Sequence, residues 1–202
     1  MDHAYQGDLL FFRDAYPPGC PTHDAMPYAF KPFAFDYARQ RGYEIILWVD
    51  CSFWATQNVM PCLWRTKEVG HLMVDSGWAV GQWCSDVALA TLGTDRESIM
   101  TMPMYSAGFT GLDVTNPRSA EFLDLWLSLA KDGITFRGDW TNANKEVSDD
   151  DRVLGHRHDM TAASFLACKL GMSYEPNAHY FSYAGVDDSF DASKVYFLAR
   201  GM

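Results

Sequence analysis

Apolar and polar positions in this chain alternate in ways that separate strands from helices. Ile45 to Val49 are five successive apolar residues with no alternation, the pattern of a strand covered on both faces, as in the parallel part of an α/β sheet. The run stops at Asp50-Cys51-Ser52, so a carboxylate and a hydroxyl stand at the strand's carboxyl end. Ligands of open α/β sheets bind at that end, among the loops that leave it. Asp50 either faces such a crevice or, with Ser52, only turns the chain. Asp8 to Phe12 read as a short buried strand, and the proline-rich Pro17 to Pro21 as a loop. A helix over Tyr28 to Arg41 follows, with Pro27 near its first turn, Pro32 early in it and Gly42 past its end. The order strand, loop, helix, strand predicts a parallel pair.

Further along, Phe53 to Leu63 is mixed and interrupted by Pro61, His71 to Val74 reads as a strand, and Ser85 to Leu92 as a short helix stopped by Gly93. Tyr105 to Asp113 is a strand carrying Gly108 and Gly111, which mark a bulge or a close approach to the backbone. Pro117 to Lys131 is a helix with Asn116 as N-cap and Gly133 beyond its end; Phe122, Leu125, Trp126 and Leu129 give it one apolar stripe facing the sheet. Residues 137–152 form a long polar loop ending in three consecutive aspartates, a length usually kept for function or mobility. Asp159 reads as the N-cap of a small-residue helix from Met160 to Leu170, closed by Gly171. Tyr180 to Tyr183 and Val195 to Leu198 add short edge strands.

Composition narrows the class. The chain has 202 residues, 48% hydrophobic and 21% charged, which fits one globular domain over residues 1–202, with no internal repeat or linker. A formal net charge of −10 disfavours nucleic acid and anionic membrane as partners. No window is apolar enough for a membrane span and no signal-peptide layout opens the chain, so a cytoplasmic protein is expected. Five scattered cysteines suggest free thiols and neither a disulfide frame nor a Cys-x-x-Cys metal site. Seven tryptophans exceed what a core usually needs, and flat rings of this kind often serve carbohydrate.

His156-Arg157-His158-Asp159 puts two imidazoles, a guanidinium and a carboxylate just ahead of a helix amino terminus, an end that favours anions. Singly, Asp159 is explained as a cap, Arg157 as a partner of the acidic loop and each histidine as a structural residue. Together with Asp50, they would supply a carboxylate for a divalent cation, imidazoles that ligate or carry protons, and an arginine for phosphate. A nucleotide diphosphate leaving group needs that combination.

The strand ending Trp48-Val49-Asp50-Cys51-Ser52, the stretch Ser106 to Asp113 with the Trp-bearing helix after it, and Gly155-His156-Arg157-His158-Asp159-Met160 together resemble the glycosyltransferase A-type fold. The likeness is to glycosyltransferase-like proteins with a Trp-x-Asp-x-Ser strand end and a His-Arg-x-Asp-Gln helix start, over roughly residues 7–172. The resemblance implies a single α/β domain with a mixed, mostly parallel sheet flanked by helices, and sugar transfer from a nucleotide-sugar donor to an acceptor it leaves open. It implies a divalent ion, Mn2+ or Mg2+, on Asp50, His156 and His158; Asp159 and His158 as catalytic groups; and Asp50, Ser52, Arg157 and Lys31 on the donor. Gly108, Gly111 and Trp140 would line the acceptor approach. Ser52 replaces the second acid of the family's Asp-x-Asp motif and Met160 its usual Gln. Lys31 either reaches donor phosphate or is an exposed helix lysine. Too few residues precede Gly7 for the family's first base-binding strand and loop, so either a minimal or truncated version, or a base held differently, as by a partner chain, is expected; a homo-oligomer is also expected among the partners. The alternatives are a catalytically silent sugar- or nucleotide-binding module and a metal-dependent phosphoesterase.

Overall fold

The computed structural model describes residues 16–176, 179–184 and 195–200; the strand expected at residues 8–12 lies outside them. The first helix, α1 (Phe30–Gln40), buries Lys31, Phe33, Ala34, Phe35 and Ala38. It begins two residues later than the sequence suggests, with Tyr28 ahead of it at a φ of 60°, outside the right-handed helical region. Gly42 ends it in the left-handed region with a φ of 87°, where glycine is free of the Cβ penalty.

A three-stranded sheet follows from β1 (Ile45–Val49), β3 (His71–Ala79) and β4 (Pro103–Asp113), in the order β1-β4-β3. Both ladders are antiparallel: Ile45 faces Asp113 and Val49 faces Phe109, while His71 faces Leu112 and Ala79 faces Pro103. This corrects the mostly parallel sheet expected from sequence. The unbroken apolar run of β1 arises from contact with α1 and with α2 (Met60–Val69), which takes away the polar face that an antiparallel strand often keeps. Parallel pairing occurs between β5 (Phe181–Ala184) and β6 (Phe197–Arg200), which form a second small sheet with β2 (Phe53–Ala55) in the order β2-β6-β5. The result is a single α/β domain with small sheets and helices.

The remaining helices follow their local signals. Pro61 opens α2 in its first turn, and Gly70 closes it with a φ of 93°. A 3-10 turn, Val80–Trp83, leads to α3 (Asp86–Thr91), whose cap Ser85 accepts the Ala88 N–H, and to α4 (Arg96–Met100), capped by Asp95. In α5 (Pro117–Lys131) Asn116 Oδ1 accepts the N–H groups of Arg118 and Ser119. The buried face of α5 is Phe122, Leu123, Trp126 and Leu127, whereas Leu125 is exposed, so the expected stripe is displaced around the helix. The last helix, α6 (His158–Lys169), packs on β4 and α5.

The loop of residues 137–152 is irregular, as its composition predicts, but it is pinned from within. Asn142 Oδ1 accepts from Val147 and Ser148, and its Nδ2 donates to the carbonyls of Ser148 and Val153. The aspartates at its end are occupied by surface partners: Asp150 by Arg152 and Asp151 by Lys145. Among the described residues no helix is long and apolar enough to cross a membrane.

Candidate functional site

Three charged side chains from distant parts of the sequence converge where β1 ends. Asp50 leaves β1 with its N–H on the Gly108 carbonyl at 2.9 Å. Its Oδ1 accepts the Trp48 Nε1–H at 2.6 Å; residues two apart on a strand share a face, which is how Trp48 reaches it. Lys31, from the first turn of α1, places Nζ 3.3 Å from the same Oδ1 and 3.2 Å from Asp159 Oδ2, and donates to the Ala107 carbonyl at 3.0 Å. The sequence suggested an exposed helix lysine, yet Lys31 is only 3% exposed. Its reach towards a donor phosphate is taken up by two carboxylates.

The three groups differ in their access to solvent. The Asp50 side chain is 33% exposed, while those of Lys31 and Asp159 are 4% and 5%. Burial lifts the Asp159 pKa to about 6, against the opposing pull of Lys31. Burial alone would push the Lys31 ammonium towards neutrality, but the charges of Asp159 and then Asp50 outweigh it and hold its pKa above the ordinary lysine value. Asp159 Oδ2 has Lys31 as its charge partner although no hydrogen bond of good geometry reaches it.

Asp159 is not the N-cap of α6. That position falls to Arg157, and Asp159 is the second helical residue, turned inward. His158 makes this possible by adopting a φ of 50°. Left-handed backbone at a histidine or a tyrosine is uncommon and costs on the order of 1 kcal/mol or more. Here His158 and Tyr28 both adopt it, and their rings stack on each other, with centroids 5.4 Å apart and planes at 25°. Trp140 meets the edges of both, at 5.0 Å from His158 and 5.8 Å from Tyr28.

The two histidines have separate roles. His156 is fully buried; its Nδ1 accepts the Ser85 N–H at 3.3 Å and its Nε2 donates to the Thr135 carbonyl at 3.0 Å. With both nitrogens engaged by backbone, and a pKa pushed down to about 3 by burial and then by His158, it is a structural residue and not a free metal ligand. His158 Nδ1 lies 2.9 Å from the Phe136 carbonyl. A carbonyl only accepts, so the proton is on Nδ1 and Nε2 is a bare nitrogen, buried without a hydrogen-bond partner.

Arg157 is held differently. Its guanidinium lies 3.9 Å from the Trp83 ring centroid and 4.4 Å from that of Trp140, between two indoles. Such stacking orients a guanidinium while leaving its N–H edge free. Among the described residues no carboxylate pairs with it, which sets aside the pairing with the acidic loop. Gly155 lets this segment run against the Trp140 backbone, since a Cβ there would lie 2.1 Å from the Trp140 carbonyl oxygen.

The glycines of β4 divide as well. A Cβ at Gly108 would meet Asp50 Oδ2 at 3.1 Å, so this glycine makes room for the carboxylate. A Cβ at Gly111 would meet Thr66 Oγ1 at 2.4 Å; Gly111 is buried beneath α2 and takes no part in any approach of substrate. Ser52 stands half-buried in the turn closed by the Phe53 N–H on the Asp50 carbonyl. Tyr28, Trp83 and Tyr183 join the site without having been singled out in the sequence, whereas Trp48 belongs to the Trp-x-Asp-x-Ser strand end. Tyr183 bonds Ser106, and its hydroxyl is raised in pKa by burial and then by the Asp50 charge.

An A-type glycosyltransferase fold implies a divalent ion, and the donor set does not fit one. Among the described residues no group of three His, Cys, Asp or Glu side chains is arranged to hold a metal ion. His156 is occupied on both sides and Asp50 Oδ1 is taken by Trp48 and Lys31, which leaves Asp50 Oδ2 and His158 Nε2 as unengaged donors, too few to complete a site. An open groove of about 550 Å³ lies elsewhere, lined by Pro61, Trp64, Arg65, Glu68, Tyr180 and Tyr196, and contains none of these groups. Compared with family models, curated proteins and solved structures, the chain gives no match.

Proposed function

We propose that the protein is a glycosyltransferase that moves a sugar from a nucleotide-sugar donor to an acceptor hydroxyl. One observation carries the reading: the strand-end acid Asp50 and the helix-start acid Asp159 share the Lys31 ammonium, and the Tyr28 and Trp140 rings connect that cluster to an arginine stacked on two indoles that has no carboxylate partner among the described residues. In this reading Arg157 takes the donor diphosphate, as a planar guanidinium suits phosphate oxygens. The rings of Tyr28, Trp48 and Trp140 give the sugar flat faces to lie against.

Transfer breaks the bond between the anomeric carbon and the diphosphate oxygen and forms one from that carbon to the acceptor oxygen. The leaving diphosphate keeps the bonding electrons, and the Arg157 charge offsets them. The acceptor's proton passes to Asp50 Oδ2, the carboxylate oxygen bound by neither Trp48 nor Lys31. Asp159, being nearly closed to solvent, acts from behind by holding Lys31. No step is assigned to a metal ion.

A nucleotide-sugar panel read by thermal shift, followed by nucleoside diphosphate release with candidate acceptors, tests the reading. A stabilising donor whose turnover disappears in a folded Asp50→Asn variant supports it. Binding without turnover across acceptors identifies a silent binding module, and phosphate release from simple esters with no donor binding identifies a phosphoesterase. If no nucleotide-sugar changes the melting temperature, sugar transfer is wrong.

A further inference from the structure

We propose that the Lys31 ammonium is the resident cation of this site, standing where a sugar transferase with a strand-end acid would otherwise hold a divalent ion, so that donor binding at Asp50 needs no metal. The inference deepens the sugar-transfer reading and rests on it for its functional meaning, although the ion test below does not.

The geometry is that of a small coordination shell. Nζ faces three oxygens: the Ala107 carbonyl at 3.0 Å, Asp159 Oδ2 at 3.2 Å and Asp50 Oδ1 at 3.3 Å. The carbonyl accepts a hydrogen bond, and the two carboxylate oxygens hold the ammonium as ion pairs. The faces of Tyr28 and Trp48 add cation–π contacts at 5.3 and 5.9 Å. The shell is fixed by elements unrelated in sequence: α1 brings the lysine, β1 one acid, β4 the carbonyl and α6 the other acid. A lysine driven into this position at 3% exposure is not a solvated surface charge. It is a charge that the fold has been built to receive.

A divalent ion and this ammonium exclude each other. Mg2+ requires oxygen ligands at about 2.0–2.1 Å in near-octahedral array. An ion at Asp50 Oδ1 would stand within a few ångströms of Nζ and compete for the same oxygen. Two donors stay unengaged, Asp50 Oδ2 and His158 Nε2, but among the described residues no group of three His, Cys, Asp or Glu side chains is placed to hold an ion elsewhere. Ser52 stands where the family's motif has a second acid, both His156 nitrogens are in backbone bonds, and the proton-bearing nitrogen of His158 is on the Phe136 carbonyl. The site therefore holds a fixed monovalent charge in place of an exchangeable divalent one. One ammonium between two carboxylates leaves the shell negative, and Arg157 supplies the positive charge that the diphosphate still needs.

Mn2+ electron paramagnetic resonance tests this on the full chain, since bound Mn2+ loses the sharp signal of the free ion. Wild type is expected to leave the free Mn2+ signal unchanged. Lys31→Ala, which empties the space between the carboxylates, is expected to remove one Mn2+ per chain from that signal, and Lys31→Ala combined with Asp159→Asn to restore it. The donor-induced melting shift of wild type is expected to be the same in EDTA as in Mn2+. The proposal is overturned if wild type binds one Mn2+ that Asp50→Asn releases, or if folded Lys31→Ala binds none. Should Lys31→Ala not fold, the wild-type and Asp50→Asn titrations decide by themselves. A panel with no stabilising donor sinks sugar transfer but leaves the ion titration to stand or fall separately.

Discussion

At the scale of single residues, what matters is whether a charge is fixed or free. Arg157 is fixed in orientation by Trp83 and Trp140 and has no acid partner among the described residues, whereas Lys31 is committed to Asp50 and Asp159. Arg157→Lys keeps the charge and loses the planar fork and the stacking, so donor affinity measured by calorimetry should fall by about 1–2 kcal/mol with little change in melting temperature. A Lys at this position that binds donor as tightly as Arg contradicts the phosphate role. Titration gives a second residue-scale expectation. His156 is held neutral in the fold with its pKa lowered to about 3, so below pH 6.5 the unfolded chain takes up a proton that the fold refuses. Its contribution is present at neutral pH and is lost as pH falls, by about 1.4 kcal/mol per pH unit. Asp159 has the opposite sign: its folded pKa of about 6 lies above the ordinary aspartate value, so its contribution is present below the unfolded pKa and lost as pH rises towards 6. Urea unfolding between pH 4 and 6 should therefore show a steeper loss in acid for Asp159→Asn than for wild type. A shallower loss in acid for Asp159→Asn means the buried carboxylate has been misread.

Among the elements, the two glycines of β4 separate packing from function. Gly111→Ala drives a Cβ into Thr66 of α2 and should cost about 2 kcal/mol in unfolding free energy, an overpacking penalty, while leaving donor affinity nearly intact in the folded fraction. Gly108→Ala presses on the Asp50 carboxylate at a milder 3.1 Å, so its effect should appear in donor binding more than in stability. The reverse order would show that the two have been assigned wrongly. Elements with strong local signals were legible in the sequence. Asn116-Pro117 and the apolar repeat define α5, Ser85 and Gly93 bracket α3, and the run up to Asp50 defines β1. What escaped depended on distant contacts. Strand direction could not follow from a single apolar run, because α1 and α2 cover β1 as parallel neighbours would. The start of α6 was misread because Asp159 has the composition of a cap, and only the left-handed backbone of His158 turns it inward. Lys31 looked like any helix lysine because nothing near it in sequence shows the two acids that hold it.

Across the whole molecule, the charge distribution supports a local reading of function. A chain with net charge −10 repels a nucleotide-sugar at long range, so binding must rest on cations placed at one point. Lys31 stands at the half-open Asp50 carboxylate, Arg157 is linked to it through the Trp140 and Tyr28 rings, and the aromatic groove along Pro61, Trp64 and Tyr196 contains none of these groups. A structure of the chain soaked with the nucleotide-sugar that stabilises it most therefore puts the central claim to its most direct test. The account predicts diphosphate oxygens within hydrogen-bonding distance of the Arg157 guanidinium, with the sugar over Asp50 and Lys31 still between its two acids. A donor seated in the groove beside Trp64, or one that touches neither Arg157 nor Asp50, would contradict it.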